Sequence, residues 1–185
     1  MESRVDLLHW SQAPLLARPY YDGGHPGPII AALAHVPELL EVTAPFLGAV
    51  LGSTALQARI KEIVVLRTSA RLDCSYCISA HSVVALDVGL ERAEVLALRG
   101  QARLGDCFHK PEEHALLDWI DAVAGEAGAV SNGVGTALRA HFSEAEMVEL
   151  TLLVATTIML NRFCTALALP SSPETLTRLA NEDLL

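Results

Sequence analysis

The amino-acid sequence predicts an all-α protein on three observations. Of its 185 residues, 51% are hydrophobic but only 5% are aromatic, and alanine, leucine and valine dominate the apolar set. Alanine and leucine are the strongest apolar helix formers. Prolines, glycines and capping residues divide the chain into segments of helical periodicity, and no segment alternates with period two for long enough to predict a strand. The length is sufficient for one domain with a sizeable core.

The first 27 residues differ from the rest of the chain. They have no lasting period, and they contain Pro14, Pro19, Pro26 and the turn signal Asp22-Gly23-Gly24. We expect residues 1–27 to form an extended arm that packs on the body or on a neighbouring subunit. Residues 28–185 are expected to form the all-α domain.

The helices of this domain follow in order from their boundary signals. Pro28 and Pro37 open the first two, because proline is favoured in a first helical turn, and Pro45 is expected to kink or divide the second. Ser143 and Glu146 fit a capping box at the start of the longest helix. The expected helices span residues 28–34, 37–52, 55–71, 74–88, 91–99, 111–128, 134–141, 144–168 and 172–179, with the Gly52-Ser53-Thr54 break after the second.

The composition argues against several classes of partner. The formal charge of -9, the pI near 5.2 and the lack of a basic run argue against nucleic acid. The longest apolar run, residues 150–160, is interrupted by three threonines and is too short to span a membrane. The start MESRVDLLHWSQAP has no signal-peptide pattern, so we expect a cytoplasmic protein. A mean hydropathy of +0.35 without a membrane span indicates apolar surface buried in a homo-oligomer.

The chemically distinctive segment runs from residue 62 to residue 81 and contains the motif C-x-x-C-x-x-x-H. At about 100° per residue in a helix, Cys77 lies about 60° from Cys74, and His81 falls about 20° short of two turns. The three side chains therefore share one stripe of a helix, for which Asp73 is the predicted N-cap. Glu62 lies among apolar residues of the preceding helix, where an ionisable group needs a partner. We expect the more solvent-exposed side of that helix to carry Arg59, Lys61 and Arg67.

Three interpretations of this motif remain open from the residues alone. Buried cysteines can be small core residues by chance, which is also how we interpret Cys164, whereas Cys107 is expected to be a free loop thiol. Cys74, Cys77, His81 and Glu62 could bind zinc, but no second cysteine or histidine pair completes the site. A thiol pair at a helix start is also typical of redox chemistry, in which a thiolate attacks a peroxide and its neighbour forms the disulfide.

The pattern E-x11-C-x-x-C-x-x-x-H on adjacent helices resembles the alkylhydroperoxidase D-like (AhpD-like), carboxymuconolactone decarboxylase superfamily. The resemblance extends from about Pro37 to Leu169. It includes HVPELLEVTAPFLGAVLG, KEIVVLRTSARLDCSYCISAHSVVALDVGLERAEVLAL and the segment that begins EHALLDWIDAV. It implies an all-α fold that assembles as trimers or hexamers.

The resemblance also implies roles for the motif residues. In the AhpD branch the two cysteines are a redox pair, so Cys77 would attack the peroxide and Cys74 would resolve it, with Glu62 and His81 as a proton relay. An external dithiol protein would reduce the disulfide, and neither a metal nor a further cofactor is implied. The decarboxylase branch lacks the cysteine pair, so the pair favours the redox branch.

The sequence departs from the best-studied type of AhpD at Tyr76, where that type has a histidine before the second cysteine. Tyrosine is a poor proton relay near neutral pH, so a slower peroxidase or a different substrate is expected, with Tyr76 as a candidate substrate-binding residue. The first hypothesis is therefore a thiol-dependent peroxidase that reduces hydroperoxides. The alternatives are a decarboxylase- or isomerase-like enzyme or binder of a small organic acid that uses Glu62 and His81, and a zinc-bound structural oligomer.

Overall fold

The computed structural model describes residues 3–21, 24–52 and 54–185. The predicted signals at Asp22-Gly23-Gly24 and Gly52-Ser53-Thr54 fall partly outside these ranges. The described residues contain helices and no strand, which confirms the predicted all-α class. The helices are α1 (Pro28–Leu33), α2 (Pro37–Leu51), α3 (Ala58–Arg71), α4 (Ser75–Asp87), α5 (Arg92–Leu98), α6 (Pro111–Val123), α7 (Asn132–Arg139), α8 (Glu144–Leu167) and α9 (Pro173–Asn181).

Helix α3 lies at the centre of the bundle and packs against α4, α5, α6 and α8. Its sequence explains this position, because four consecutive apolar residues, Ile63 to Leu66, are all buried. A helix that is apolar around its circumference must be covered on every side. Each such side chain contributes about 1.5–3 kcal/mol when fully buried. The residues that α3 carries into the site are therefore held on a rigid element.

Helix α8 begins with the predicted capping box. The Ser143 N–H donates to Glu146 Oε2 at 2.8 Å, and the Glu146 N–H donates to Ser143 Oγ at 3.3 Å. By length and composition α8 could cross a membrane, but the core helix of a soluble protein passes the same test. Here α8 packs against α2, α3, α4, α6 and α7 and buries Leu150, Leu153 and Val154. Helix α8 is thus a core helix of the bundle.

Pro45 does not divide α2, which runs without interruption from Pro37 to Leu51. Proline removes the N–H that would bond to the carbonyl four residues earlier, which belongs to Glu41. Pro45 and Glu41 are both exposed, so water can satisfy that carbonyl. The predicted division of α2 is therefore wrong, because the hydrogen bond that Pro45 removes would lie on the solvent side of the helix.

Lys61 lies in the core rather than on the more solvent-exposed side of α3, where it was predicted. Its side chain is only 4% exposed. Its ammonium donates to Val50 O at 2.9 Å and Gly52 O at 2.6 Å, and it pairs with Glu149 at 2.9 Å. The carbonyls at the C-terminal end of α2 carry partial negative charge and attract a cation. Lys61 therefore fixes the end of α2 to α3 and α8.

The N-terminal segment packs on the helices next to the cysteine motif. Ser3 Oγ donates to Leu167 O at 3.3 Å, and Tyr21 Oη donates to Leu8 O at 3.0 Å. Val5 and Leu7 are partly buried against the cluster that contains the motif cysteines. This segment thus forms part of the apolar cover over the motif.

Candidate active site

The turn between α3 and α4 determines where the first cysteine lies. Asp73 has a left-handed backbone with φ 52°, and its N–H donates to Ala70 O at 3.3 Å. The Cys74 N–H donates to Ser69 O at 3.1 Å. This pair of bonds closes the C-terminus of α3 in a Schellman motif. Asp73 therefore ends α3 and is not the predicted N-cap of α4.

The N-cap of α4 is Cys74 itself. Its Sγ accepts a hydrogen bond from the Cys77 N–H at 3.4 Å, and the two Sγ atoms lie 2.7 Å apart. Both cysteines are reduced and buried, with Cys74 1% and Cys77 5% exposed. The first turn of a helix offers free N–H groups and a positive dipole end, which stabilise a thiolate. The two thiols are thus close enough to share a proton or to form a disulfide.

The pKa values of the thiols are shifted in opposite directions. The pKa of Cys74 falls from 9.0 to about 3, because hydrogen bonds from the Cys164 thiol, the Cys77 thiol and the Cys77 N–H stabilise its thiolate. The pKa of Cys77 is raised by its contacts with Cys164 and Cys74 and by burial. The resting negative charge therefore lies on Cys74, with the proton on Cys77.

Cys164 is a site residue that the sequence interpretation missed. It lies on α8, is 1% exposed and belongs to the same buried cluster as Cys74 and Cys77. Its pKa is raised to about 12, mainly by the hydrogen bond with Cys74. The available sequence signal was the spacing of Thr157, Asn161 and Cys164, which lie four and three residues apart on one face of α8. Which helix that face meets depends on tertiary packing.

Glu62 and His81 form the pair that the sequence predicted to be a relay. His81 Nδ1 lies 2.8 Å from Glu62 Oε2, and the contact joins α4 to α3. Since a carboxylate only accepts hydrogen bonds, Nδ1 donates, which fixes the ring and leaves Nε2 for other partners. Glu62 is 9% exposed, so His81 is the partner that a buried carboxylate requires.

A small cavity of about 70 Å³ lies beside Cys77. This volume is roughly that of two waters in the liquid. Cys77, Tyr76 and His81 line it, whereas Cys74 and Glu62 are not part of its wall. The remaining wall comes from Ile29, Leu51, Val65, Ser69, Ala80, Thr157, Leu160 and Asn161. The cavity thus presents one thiol and one imidazole to a small molecule.

Asn161 lines this cavity and has an unsatisfied acceptor. Its Nδ2 donates to Thr157 O at 2.5 Å and to Ser69 Oγ at 3.3 Å. Its Oδ1 has no hydrogen-bond partner among the described residues, although the residue is only 1% exposed. A buried acceptor without a partner costs about 1–3 kcal/mol. Asn161 is therefore ready to accept a hydrogen bond from a bound molecule.

Tyr76 lies in the cavity wall next to Cys77. Burial, with smaller contributions from the nearby cysteine sulfurs, raises the pKa of its hydroxyl to about 12. The hydroxyl therefore stays protonated at physiological pH and can donate a hydrogen bond.

The described residues contain no group of three or more histidine, cysteine or acidic side chains arranged to hold a metal ion. Cys74 and Cys77 face each other, while Glu62 bonds to His81. The four ligands of the zinc alternative thus form two separate pairs in this part of the chain.

Solved structures with the same fold cover between 76% and 98% of this chain. An uncharacterized peroxidase-related protein from Ralstonia eutropha JMP134 with an alkylhydroperoxidase AhpD core has a TM-score of 0.81 and 20% identity, covering 94% of each chain. A protein of unknown function from Agrobacterium tumefaciens, given as an AhpD-type antioxidant defence protein, has a TM-score of 0.68 and 25% identity over 76% of this chain and 95% of that chain. The debrominase Bmp8 in complex with 2,3,4-tribromopyrrole has a TM-score of 0.78 and 18% identity, covering 98% of this chain and 100% of that chain.

These likenesses and the site define an AhpD-like helical protein with a buried thiol pair. Residues 37–117 match the sequence profile of the carboxymuconolactone decarboxylase family. The match is limited to this segment, and the solved structures show that the chain as a whole has the AhpD-like fold. The resemblance inferred from the sequence is thus confirmed. A comparison with curated proteins found no match.

Proposed function

We propose that this protein is a thiol-dependent peroxidase of the disulfide oxidoreductase type, which reduces small hydroperoxides. The observation that carries the proposal is the pair of reduced thiols, 2.7 Å apart at the N-terminus of α4, beside a cavity that His81 also lines. Cys77 is the attacking thiol, because it faces the cavity and Cys74 does not. Cys74 is the resolving thiol.

In the first step, Cys77 passes its proton to the Cys74 thiolate across the short contact between their sulfurs. The Cys77 thiolate attacks the terminal oxygen of the hydroperoxide, an S–O bond forms and the O–O bond breaks. Cys77 is oxidised to a sulfenic acid, and the peroxide is reduced to an alkoxide or hydroxide. His81 protonates that leaving oxygen and regains its proton from solvent.

In the second step, Cys74 attacks the sulfur of the Cys77 sulfenic acid. The S–O bond breaks, the oxygen leaves as hydroxide, and the proton from Cys74 converts it to water. The product is a Cys74–Cys77 disulfide. The low pKa of Cys74 suits this role, because it is readily deprotonated for the attack. A dithiol protein then reduces the disulfide by two exchange reactions and is itself oxidised.

The cavity supports a small hydroperoxide as substrate. Its volume of about 70 Å³ accepts a peroxide group with a short substituent. The terminal O–H of a hydroperoxide is a hydrogen-bond donor, and the Asn161 Oδ1 is an acceptor in need of one. The protonated Tyr76 hydroxyl donates to the inner peroxide oxygen. These two residues would orient the O–O bond toward Cys77.

Consumption of hydrogen peroxide and cumene hydroperoxide, with dithiothreitol as reductant, tests this proposal. Cys77→Ser should abolish turnover, and Cys74→Ser should slow it, because the Cys77 sulfenic acid loses its main resolving thiol. Cys107→Ser is the matched control and should retain activity, because Cys107 lies in the loop between α5 and α6. No consumption by the wild-type protein with either peroxide would show that the peroxidase proposal is wrong.

The Glu62–His81 contact supports a second candidate function. A carboxylate that orients an imidazole at 2.8 Å is an acid–base pair that does not require the thiols. Such a pair could act on a small organic acid, such as a carboxylated lactone. The variant Cys74→Ser/Cys77→Ser decides between the candidates: undiminished turnover of the lactone favours the acid–base function, and a loss favours thiol chemistry.

We further propose that the protein is a cytoplasmic homo-oligomer, either a trimer or a hexamer. Two helices expose apolar side chains that a monomer leaves in water: Leu39, Val42 and Phe46 on α2, and Val148, Leu152 and Met159 on α8. A second copy is the partner that these surfaces would cover.

A further inference from the structure

The site contains a third thiol that the proposed cycle does not use. Cys164 is buried with Cys74 and Cys77 in one small cluster, which Ala32 and Leu169 complete. Buried side chains in such a cluster approach within about 4–4.5 Å of their neighbours. The Cys164 S–H donates to the Cys74 sulfur, and the Cys77 S–H donates to the Cys164 sulfur.

The backbone around Cys164 is held in place. Its carbonyl accepts from the Leu169 N–H at 3.0 Å, and the Ala168 N–H donates to Thr165 O at 3.2 Å. Ala168 is left-handed with φ 53°, so these bonds form a Schellman motif that ends α8. A disulfide forms only where two sulfurs can approach each other to about 2 Å while their Cα atoms stay in place. The fixed end of α8 therefore keeps Cys164 in the buried cluster with Cys74 and Cys77.

We propose that Cys164 is a second resolving thiol, which condenses with the Cys77 sulfenic acid when Cys74 is not available. This inference rests on the proposed peroxidase function. The Cys164 sulfur attacks the Cys77 sulfur, an S–S bond forms and the S–O bond breaks. The leaving hydroxide takes the Cys164 proton and becomes water. The oxidant is the hydroperoxide that formed the sulfenic acid, so the step requires no further reagent.

A second resolving thiol has a defined chemical consequence. A sulfenic acid that no thiol captures can react with more peroxide to give a sulfinic acid, which is not reversible by thiols. Cys164 therefore protects Cys77 under excess peroxide. It also changes the expectation for Cys74→Ser, because the sulfenic acid of that variant is captured within the protein and does not persist.

Disulfide mapping of the full chain tests the inference. Cys74→Ser is treated with one equivalent of hydrogen peroxide and digested without reduction for mass spectrometry. The expected product is a Cys77–Cys164 disulfide with loss of both of those thiols. Cys74→Ser/Cys164→Ser should instead retain a Cys77 sulfenic acid that dimedone labels. The matched control, Cys74→Ser/Cys107→Ser, should behave like Cys74→Ser.

A persistent Cys77 sulfenic acid beside a free Cys164 in Cys74→Ser would overturn the inference. In that case, a Cys74–Cys77 disulfide in the wild type would still support the proposed function. If the wild type forms no disulfide either, the proposed function fails, and the inference fails with it.

A second measurement keeps Cys74 in place. Under excess hydrogen peroxide, Cys164→Ser should accumulate Cys77 sulfinic acid faster than the wild type and Cys107→Ser, and an equal rate would contradict the inference.

Discussion

At the residue scale, Cys74 and Cys77 have the same side chain but different surroundings. Cys74 accepts hydrogen bonds at the start of α4 and has the lowered pKa, whereas Cys77 keeps the proton and faces the cavity. The fastest attacking thiol has a pKa near the ambient pH, since a very low pKa reduces nucleophilicity. By sharing one proton, the two cysteines can hold the negative charge on Cys74 at rest and transfer it to Cys77 for the attack.

The pKa of Cys74 predicts a thiolate that persists in acid. Its pKa lies at about 3 instead of 9.0, so between these values the native protein holds a thiolate that an ordinary cysteine would have protonated. The ultraviolet absorbance of the thiolate should therefore survive a titration from neutral to mildly acidic pH and disappear in Cys74→Ser. The thiolate also stabilises the fold: this contribution is complete above the unfolded pKa of 9.0, declines as pH falls, and is lost once pH passes the native pKa. A thiolate signal that vanishes on slight acidification would contradict the assignment.

Asn161 should act on the peroxide step alone. Asn161→Leu removes the acceptor for the terminal O–H, which is expected to slow oxidation of the thiol pair by hydrogen peroxide about tenfold, from the loss of about 1–2 kcal/mol. Oxidation by diamide does not need that hydrogen bond and should keep its rate. Stopped-flow measurement with both oxidants separates the two effects. Equal slowing of both oxidations would indicate that Asn161 has a structural role only.

At the element scale, the helix boundaries could be predicted from local signals such as the Ser143 capping box and the proline at the start of α2. The prediction was wrong where a partner from another element decided the outcome. Asp73 closes α3 because the chain turns there through a left-handed residue, and a cysteine caps α4 in its place. Lys61 is buried because α2 ends beside it. Cys164 is buried, as predicted, and it lies beside the cysteine pair because α4 begins there. Sequence periodicity does not show which helix ends lie beside these two residues.

The buried Lys61 predicts a stability effect. Lys61→Met leaves the Val50 and Gly52 carbonyls without their donor and removes the partner of Glu149. We expect the free energy of unfolding to fall by about 2–4 kcal/mol in urea denaturation. Arg59→Met is the matched control on the same helix, because Arg59 is half-buried and its ion pair with Glu94 contributes only about 1 kcal/mol or less. Equal losses in the two variants would argue against a special role for Lys61.

At the scale of the whole molecule, the exposed apolar faces of α2 and α8 predict self-association. Val42 is 66% exposed and Val148 is 69% exposed, so Val42→Lys/Val148→Lys places charge on the proposed interface. Light scattering with size-exclusion chromatography should show a trimer or hexamer for the wild type and smaller species for the variant, with unchanged helical circular dichroism. Leu15→Lys is the control, because Leu15 is 77% exposed on the N-terminal segment and outside both faces. A monomeric wild type at micromolar concentration would contradict the proposal.

The central claim is that Cys74 and Cys77 are a redox pair that hydroperoxide oxidises. Thiol titration before and after one equivalent of hydrogen peroxide, followed by mapping of the disulfide by mass spectrometry, tests it most directly. We predict the loss of two thiols, mapped to a Cys74–Cys77 disulfide that dithiothreitol reverses. An unchanged thiol count, or oxidation confined to Cys107, would contradict the claim.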